Sequence, residues 1–91
     1  VDPEVALKMA EGVRSRLALG LMIATDEVIG ISTTGVAGPD SQDRKPVGLV
    51  YIAMSSAKGE QVWEESFAGD RNSIRSQVVD RVMSRLGEFL G

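Results

Sequence analysis

The chain has 91 residues and a net charge of −3, and its 43% hydrophobic and 25% charged residues exclude a disordered chain. With no cysteine and no histidine, these residues alone cannot build a disulfide framework, a Cys/His zinc site, a thiol nucleophile or a Ser-His-Asp triad. The charge gives no support to a nucleic-acid partner, and the longest apolar run, LALGLMIA, is too short to span a bilayer.

A cytoplasmic location with no membrane partner is therefore the default expectation. Any acid–base chemistry falls to carboxylates, Lys, Tyr or groups supplied from elsewhere. The opening VDPE reads as a helix start in mid-protein, so the chain is expected to be a piece of a longer one.

Asp2-Pro3-Glu4 is a helix entry: a capping carboxylate, a proline suited to the first turn and an acid at the positive end of the dipole. Val5, Met9, Val13 and Leu17 recur at four-residue spacing with Ala6 and Ala10 beside them, which predicts one buried helix face. Gly20 is the expected stop. Leu21 to Ala24 is a last helical turn, a short strand or an apolar loop, and Thr25-Asp26-Glu27 breaks the pattern.

Val28 to Ser32 reads as a short buried strand, and 33–46, TTGVAGPDSQDRKP, as a long loop. Val47 to Ser55 is the strongest strand, and Ala57-Lys58-Gly59 a hairpin turn. The following EQVWEESFA alternates, with Val62, Glu64 and Ser66 on one face and Trp63, Glu65 and Phe67 on the other. From about Arg71 to Leu90 a second helix carries Ile74, Val78, Val82, Leu86, Phe89 and Leu90 as its apolar stripe, with Asp70 as cap.

Two places attract a functional reading. At 100° per residue, Arg71 and Arg75 fall within the arc of Ile74, Val78, Val82 and Phe89, so they are expected to point inward near a helix start. Free N–H groups and guanidiniums there suit a phosphate or carboxylate. The competing reading pairs these arginines with Asp40, Asp43 or Asp70, merely tying down the loop.

In the loop, Gly35 and Gly38 allow close backbone approach to a ligand, and Thr33 and Thr34 offer hydroxyls. The simpler alternative is a crossover whose glycines serve only the turn. It is neither a P-loop nor a dinucleotide fingerprint. Tyr51 and Trp63 read as packing residues, Lys45 and Lys58 as solvated, and Arg81 and Arg85 as snorkelling beside the stripe or touching a partner.

TTGVAGPD, then KPVGLVYIA, then GDRNSIR opening the last helix, preceded by PEVALKMAEGVRSRL, resemble the C-terminal domain of the competence/damage-inducible CinA family. That domain is similar to nicotinamide-nucleotide amidase, or NMN deamidase. The resemblance implies an α/β fold, a three-layer α/β/α sandwich. Residues 1–91 would form the C-terminal portion of one such domain: helix, strand, strand-hairpin-strand, helix.

It further implies hydrolysis of the carboxamide of nicotinamide mononucleotide to the acid and ammonia, with no cofactor and no metal required. Thr34 would position the substrate, and Thr33, Gly35, Gly38, Asp40, Arg71 and Arg75 would bind it. The nucleophile or base would come from the upstream half of the same domain, and a homo-oligomer is expected. The alternative is a non-catalytic nucleotide-binding or assembly module. The segment LMIATDEV departs from the compact family pattern.

Overall fold

A computed structural model describes residues 2–35 and 48–91. Helix α1 (Pro3–Leu21) leads through a 3₁₀ turn (Thr25–Glu27) to strand β1 (Gly30–Gly35). Strands β2 (Leu49–Ser56) and β3 (Gly59–Ser66) and helix α2 (Arg71–Leu90) follow. The strands form one antiparallel sheet in the order β1-β2-β3.

Both helices begin where a short carboxylate can satisfy a free amide. Asp2 accepts from the Val5 N–H at 2.9 Å and Asp70 from the Ser73 N–H at 2.8 Å. The C-terminus of α1 differs from expectation. Gly20 stays inside the last turn, and Met22 takes the left-handed cap conformation at φ 57°. Its N–H bonds back to Ala18 and Leu19.

β2 is central, so its alternate residues feed two cores. Leu49, Tyr51 and Ala53 pack with Ala6 and Ala10 of α1. Val50, Ile52 and Met54 face α2 with Phe67 and Trp63. Helix, sheet and helix thus make the three layers of an α/β/α sandwich. Strand β3 alternates as its sequence requires: Val62 joins the α1 core and Trp63 the α2 core.

The buried face of α1 lies one residue over from the expected stripe. Ala6, Ala10 and Ala18 are buried, whereas Val5, Met9, Val13 and Leu17 are 41–50% exposed. Closeness explains the choice. A Cβ at Gly30 would lie 2.0 Å from the Ala10 carbonyl oxygen, and Ser32 Oγ donates to the Ala6 carbonyl at 2.5 Å. Only alanine-sized residues allow such contact. Each alanine methyl contributes only about 0.8 kcal/mol, so the larger gain comes from the helix covering Leu49, Tyr51 and Ala53.

Arg14, in the same row as these alanines, reaches past the helix end. Its Nε donates to the carbonyls of Thr25 and Val28, both at 2.9 Å. The segment Leu21–Val28 is therefore a capped helix end and a 3₁₀ turn, tied back to α1 by the Arg14 side chain.

Helix α2 sits more lightly on its face of the sheet. None of its residues is fully buried. Ile74, Val78, Val82, Leu86 and Phe89 are half-buried against the second core, as the sequence stripe predicts, while Leu90 is 61% exposed.

Candidate functional site

Strand register decides which side of the sheet each residue of β1 faces. Ser32 pairs with Ala53 and Thr34 with Tyr51, both on the α1 side. Thr33 pairs with Ile52 and Gly35 with Val50, both on the α2 side. Thr33 and Gly35 therefore look toward α2, while the side chain of Thr34 belongs to the opposite face.

Where the end of β1 meets the start of α2, a cleft of about 350 Å³ opens. Thr33, Thr34 and Gly35 border it on one side and Ile74, Arg75, Val78 and Val79 on the other, with Val50 between. The cleft is mostly apolar, with one guanidinium at its rim. The Gly35 position is tight: a Cβ there would meet Val50 Cγ2 at 3.0 Å and the Leu49 carbonyl oxygen at 3.1 Å. A side chain at 35 would push into the space that the cleft occupies.

The residues singled out in the sequence separate into three groups. Thr33, Thr34, Gly35 and Arg75 border one space. Contrary to the inward placement expected for both, Arg71 and Arg75 are exposed; Arg75 borders the cleft from its open side, and Arg71, at the first position of α2, is not among the described residues lining that space. Gly38 and Asp40 lie outside the described residues, as does most of the loop that carries them. At the helix start, the Ser73 amide is already committed to Asp70.

Arg81 and Arg85 remain 43% and 25% exposed, and their guanidiniums turn to the sheet. Both grip Glu65, Arg81 Nη1 at 2.5 Å and Arg85 Nε at 2.6 Å. Their guanidiniums also lie over aromatic rings, Arg81 at 5.5 Å from the Phe67 centroid and Arg85 at 5.7 Å from that of Trp63. The Arg85 guanidinium is held still more firmly protonated by its bonds to Glu65 and Glu88. Alternation is the sequence signal for this cluster. Glu65 shares a face with Trp63 and Phe67, and an inward carboxylate needs cations opposite it.

On the α1 side, Tyr51 donates its hydroxyl to Glu64 at 2.9 Å and Ser55 donates to Glu60, also at 2.9 Å. Glu60 also lies by Glu11 of α1, and hydrogen bonding to it, then repulsion between the like charges, raises the Glu11 pKa above its ordinary value. A larger hollow, about 400 Å³, lies at the far end of the sheet between the β2–β3 turn and the end of α2. None of the residues singled out for binding borders it. No group of three or more acidic ligands that could hold a metal ion occurs among the described residues. No helix among them is long and apolar enough to cross a membrane.

The family model for the CinA C-terminal domain matches residues 1–90. The chain belongs to the CinA C-terminal domain family. It is 44% identical over 90 residues to a competence-damage inducible protein of Desulforamulus reducens, spanning 99% of this chain and 20% of that protein. It is 36% identical over 80 residues to the nicotinamide-nucleotide amidohydrolase PncC of Shigella flexneri, spanning 86% of this chain and 48% of that one.

A crystal structure of competence damage-inducible protein A from Klebsiella pneumoniae superposes with a TM-score of 0.63 at 28% identity. The match covers 68% of this chain and 39% of that one. The present chain thus spans about a fifth of the competence-damage inducible relative and about half of the amidohydrolase. The cleft lies where the segments TTG and GDRNSIR of this chain come together.

Proposed function

We propose that this chain is the nucleotide-holding part of a CinA-type nicotinamide-mononucleotide amidohydrolase. The single observation that carries the reading is the cleft in which Thr33, Gly35 and Arg75 border one space. Its apolar wall of Val50, Ile74 and Val78 suits a flat ring, and the Arg75 guanidinium suits a phosphate. The kinship with a protein named as a nicotinamide-nucleotide amidohydrolase supports the substrate class.

In the reaction, water adds to the carboxamide carbon, the C–N bond breaks and the nitrogen leaves as ammonia. The chain has no histidine or cysteine to drive that attack, and, as the family resemblance implies, the nucleophile or base would come from the upstream half of the domain. The Thr33 hydroxyl, with the backbone at Thr34 and Gly35, would orient the substrate; the Thr34 side chain, on the other face, would not. Arg75, with Arg71 at the helix start, would hold its phosphate. Gly38 and Asp40, outside the described residues, stay in the proposal only as binders expected from the sequence.

The test is nucleotide binding by the complete protein. Arg75→Ala is expected to weaken nicotinamide mononucleotide binding by about 1.5–3 kcal/mol, the range for a charge-assisted hydrogen bond. Arg71→Ala should cost the same amount, and unchanged affinity in both variants would remove the phosphate assignment.

A second reading, a nucleotide-binding or assembly module without catalysis, is favoured by the half-exposed apolar row of Val5, Met9, Val13 and Leu17 along α1. Ammonia release from nicotinamide mononucleotide by the complete protein separates the two readings.

A further inference from the structure

We propose that Glu65 is a positioning residue, which sets where Arg75 stands over the cleft by fixing α2 along its own axis. The inference rests on the nucleotide-holding reading above and assigns a second, distant residue to that site.

Helix α2 meets the sheet through half-buried apolar side chains and buries none fully. Apolar contact holds two surfaces together but has no direction, so by itself it allows the helix to slide or roll. Directional bonds from the sheet to α2 come from Glu65, to Arg81 at 2.5 Å and to Arg85 at 2.6 Å. The two arginines are one turn apart, and each takes a different carboxylate oxygen. A shift of the helix in either direction breaks one of the two bonds. Gln77 adds no such restraint, because it bonds the Ala68 carbonyl and Ser73, which belong to the entry of α2 and to α2 itself.

Glu65 is well placed to index the cleft. It pairs with Val50, and Val50 pairs on its other side with Gly35. Clamp and cleft are thus on one rung of the sheet. Arg75 lies roughly 9 Å along the helix axis from Arg81 and roughly 15 Å from Arg85, with uninterrupted helix between. A helical rod transmits its placement, so the rung that fixes Arg81 and Arg85 also fixes Arg75 relative to Thr33 and Gly35. The carboxylate is 7% exposed, which shields both bonds from solvent screening.

The experiment is a double-mutant cycle in the complete protein with Glu65→Gln and Arg75→Ala. Affinities for nicotinamide mononucleotide and for the phosphate-free nicotinamide riboside are measured by calorimetry, and folding by thermal melting. Glu65→Gln is expected to weaken mononucleotide binding about tenfold, a displacement effect, while riboside binding holds. The double variant should bind no worse than Arg75→Ala alone, because both changes act through the same guanidinium. Glu65→Asp, which keeps the charge, should recover part of the loss and covers the case in which Glu65→Gln fails to fold.

Effects of the two changes that multiply would overturn the proposal, as would equal losses for mononucleotide and riboside, or a lowered melting point with unchanged affinity. If Arg75→Ala itself leaves mononucleotide binding unchanged, the nucleotide-holding reading fails first. If only the Glu65 variants bind normally, that reading stands and the positioning role falls.

Discussion

Gly35 and Glu65 flank Val50 on a single rung of the sheet, one at the lip of the cleft and the other beneath the middle of α2. Glu65 is a buried carboxylate shared by two guanidiniums. Removing it strands both cations, although each can turn partly to water, being 43% and 25% exposed. Glu65→Ala is therefore expected to lower stability by about 2–3 kcal/mol, below the full cost of breaking a buried pair. Urea unfolding measures this. Glu4→Ala, which breaks the exposed pair with Lys8, should change stability by less than about 1 kcal/mol.

The contact between α1 and β1 tolerates no added atom. A Cβ at position 30 would sit 2.0 Å from the Ala10 carbonyl oxygen, which is backbone and cannot swing aside. Gly30→Ala must push the helix off the sheet and is expected to cost about 1–3 kcal/mol, as for overpacking generally. The drop in the midpoint of a denaturant titration checks it, and a neutral result would mean that α1 does not lie this close.

The end of α1 invites stabilisation. Met22 holds a left-handed conformation at φ 57° while 91% exposed, so its side chain gains little there. Met22→Gly relieves about 1–2 kcal/mol of backbone strain against about 0.5–1 kcal/mol of lost chain entropy. A net gain of about 0.5–1 kcal/mol is expected. Gly20→Ala, inside the last turn with nothing within 4 Å of the added atom, should add up to about 1 kcal/mol. Melting temperatures of the two single variants and of their combination test both.

Acid should steady the contact between α1 and β3. Hydrogen bonding to Glu60 and repulsion from it raise the Glu11 pKa in the folded protein, with Lys8 opposing. A raised folded pKa means stability that is complete below the unfolded value and fades as pH climbs through the folded one. Folding stability is thus expected to decline from mildly acidic toward neutral pH on account of this pair. Glu11→Gln should flatten that slope and raise the melting temperature at neutral pH, read from melts across the range.

Much of this architecture is legible in the sequence because local chemistry and packing agree. The caps Asp2 and Asp70, the alternation of β3 and the stripe of α2 are each set by neighbours a few residues away. The Met22 cap of α1 and the run of β1 over Gly30–Gly35, where the sequence reads as a loop from Thr33, are not legible, nor are two packing choices, for opposite reasons. The row Val5-Met9-Val13-Leu17 outscores Ala6-Ala10-Ala18 on hydrophobicity, but close approach of Gly30 selects the small row. Glu65 reads as one more charge in a polar strand, although its place between Trp63 and Phe67 already demands a cation. In the cleft, local sequence marks Thr33, Gly35 and Arg75 for attention. Only strand pairing distinguishes the face of Thr33 from that of Thr34.

Arg14 has a further consequence. By gripping the carbonyls of Thr25 and Val28 with one nitrogen, it closes the base of the excursion between helix and strand like a drawstring. Residues 22–24 thus run between two fixed points, so a change of length engineered there is expected to leave the meeting of β1 and β2 undisturbed.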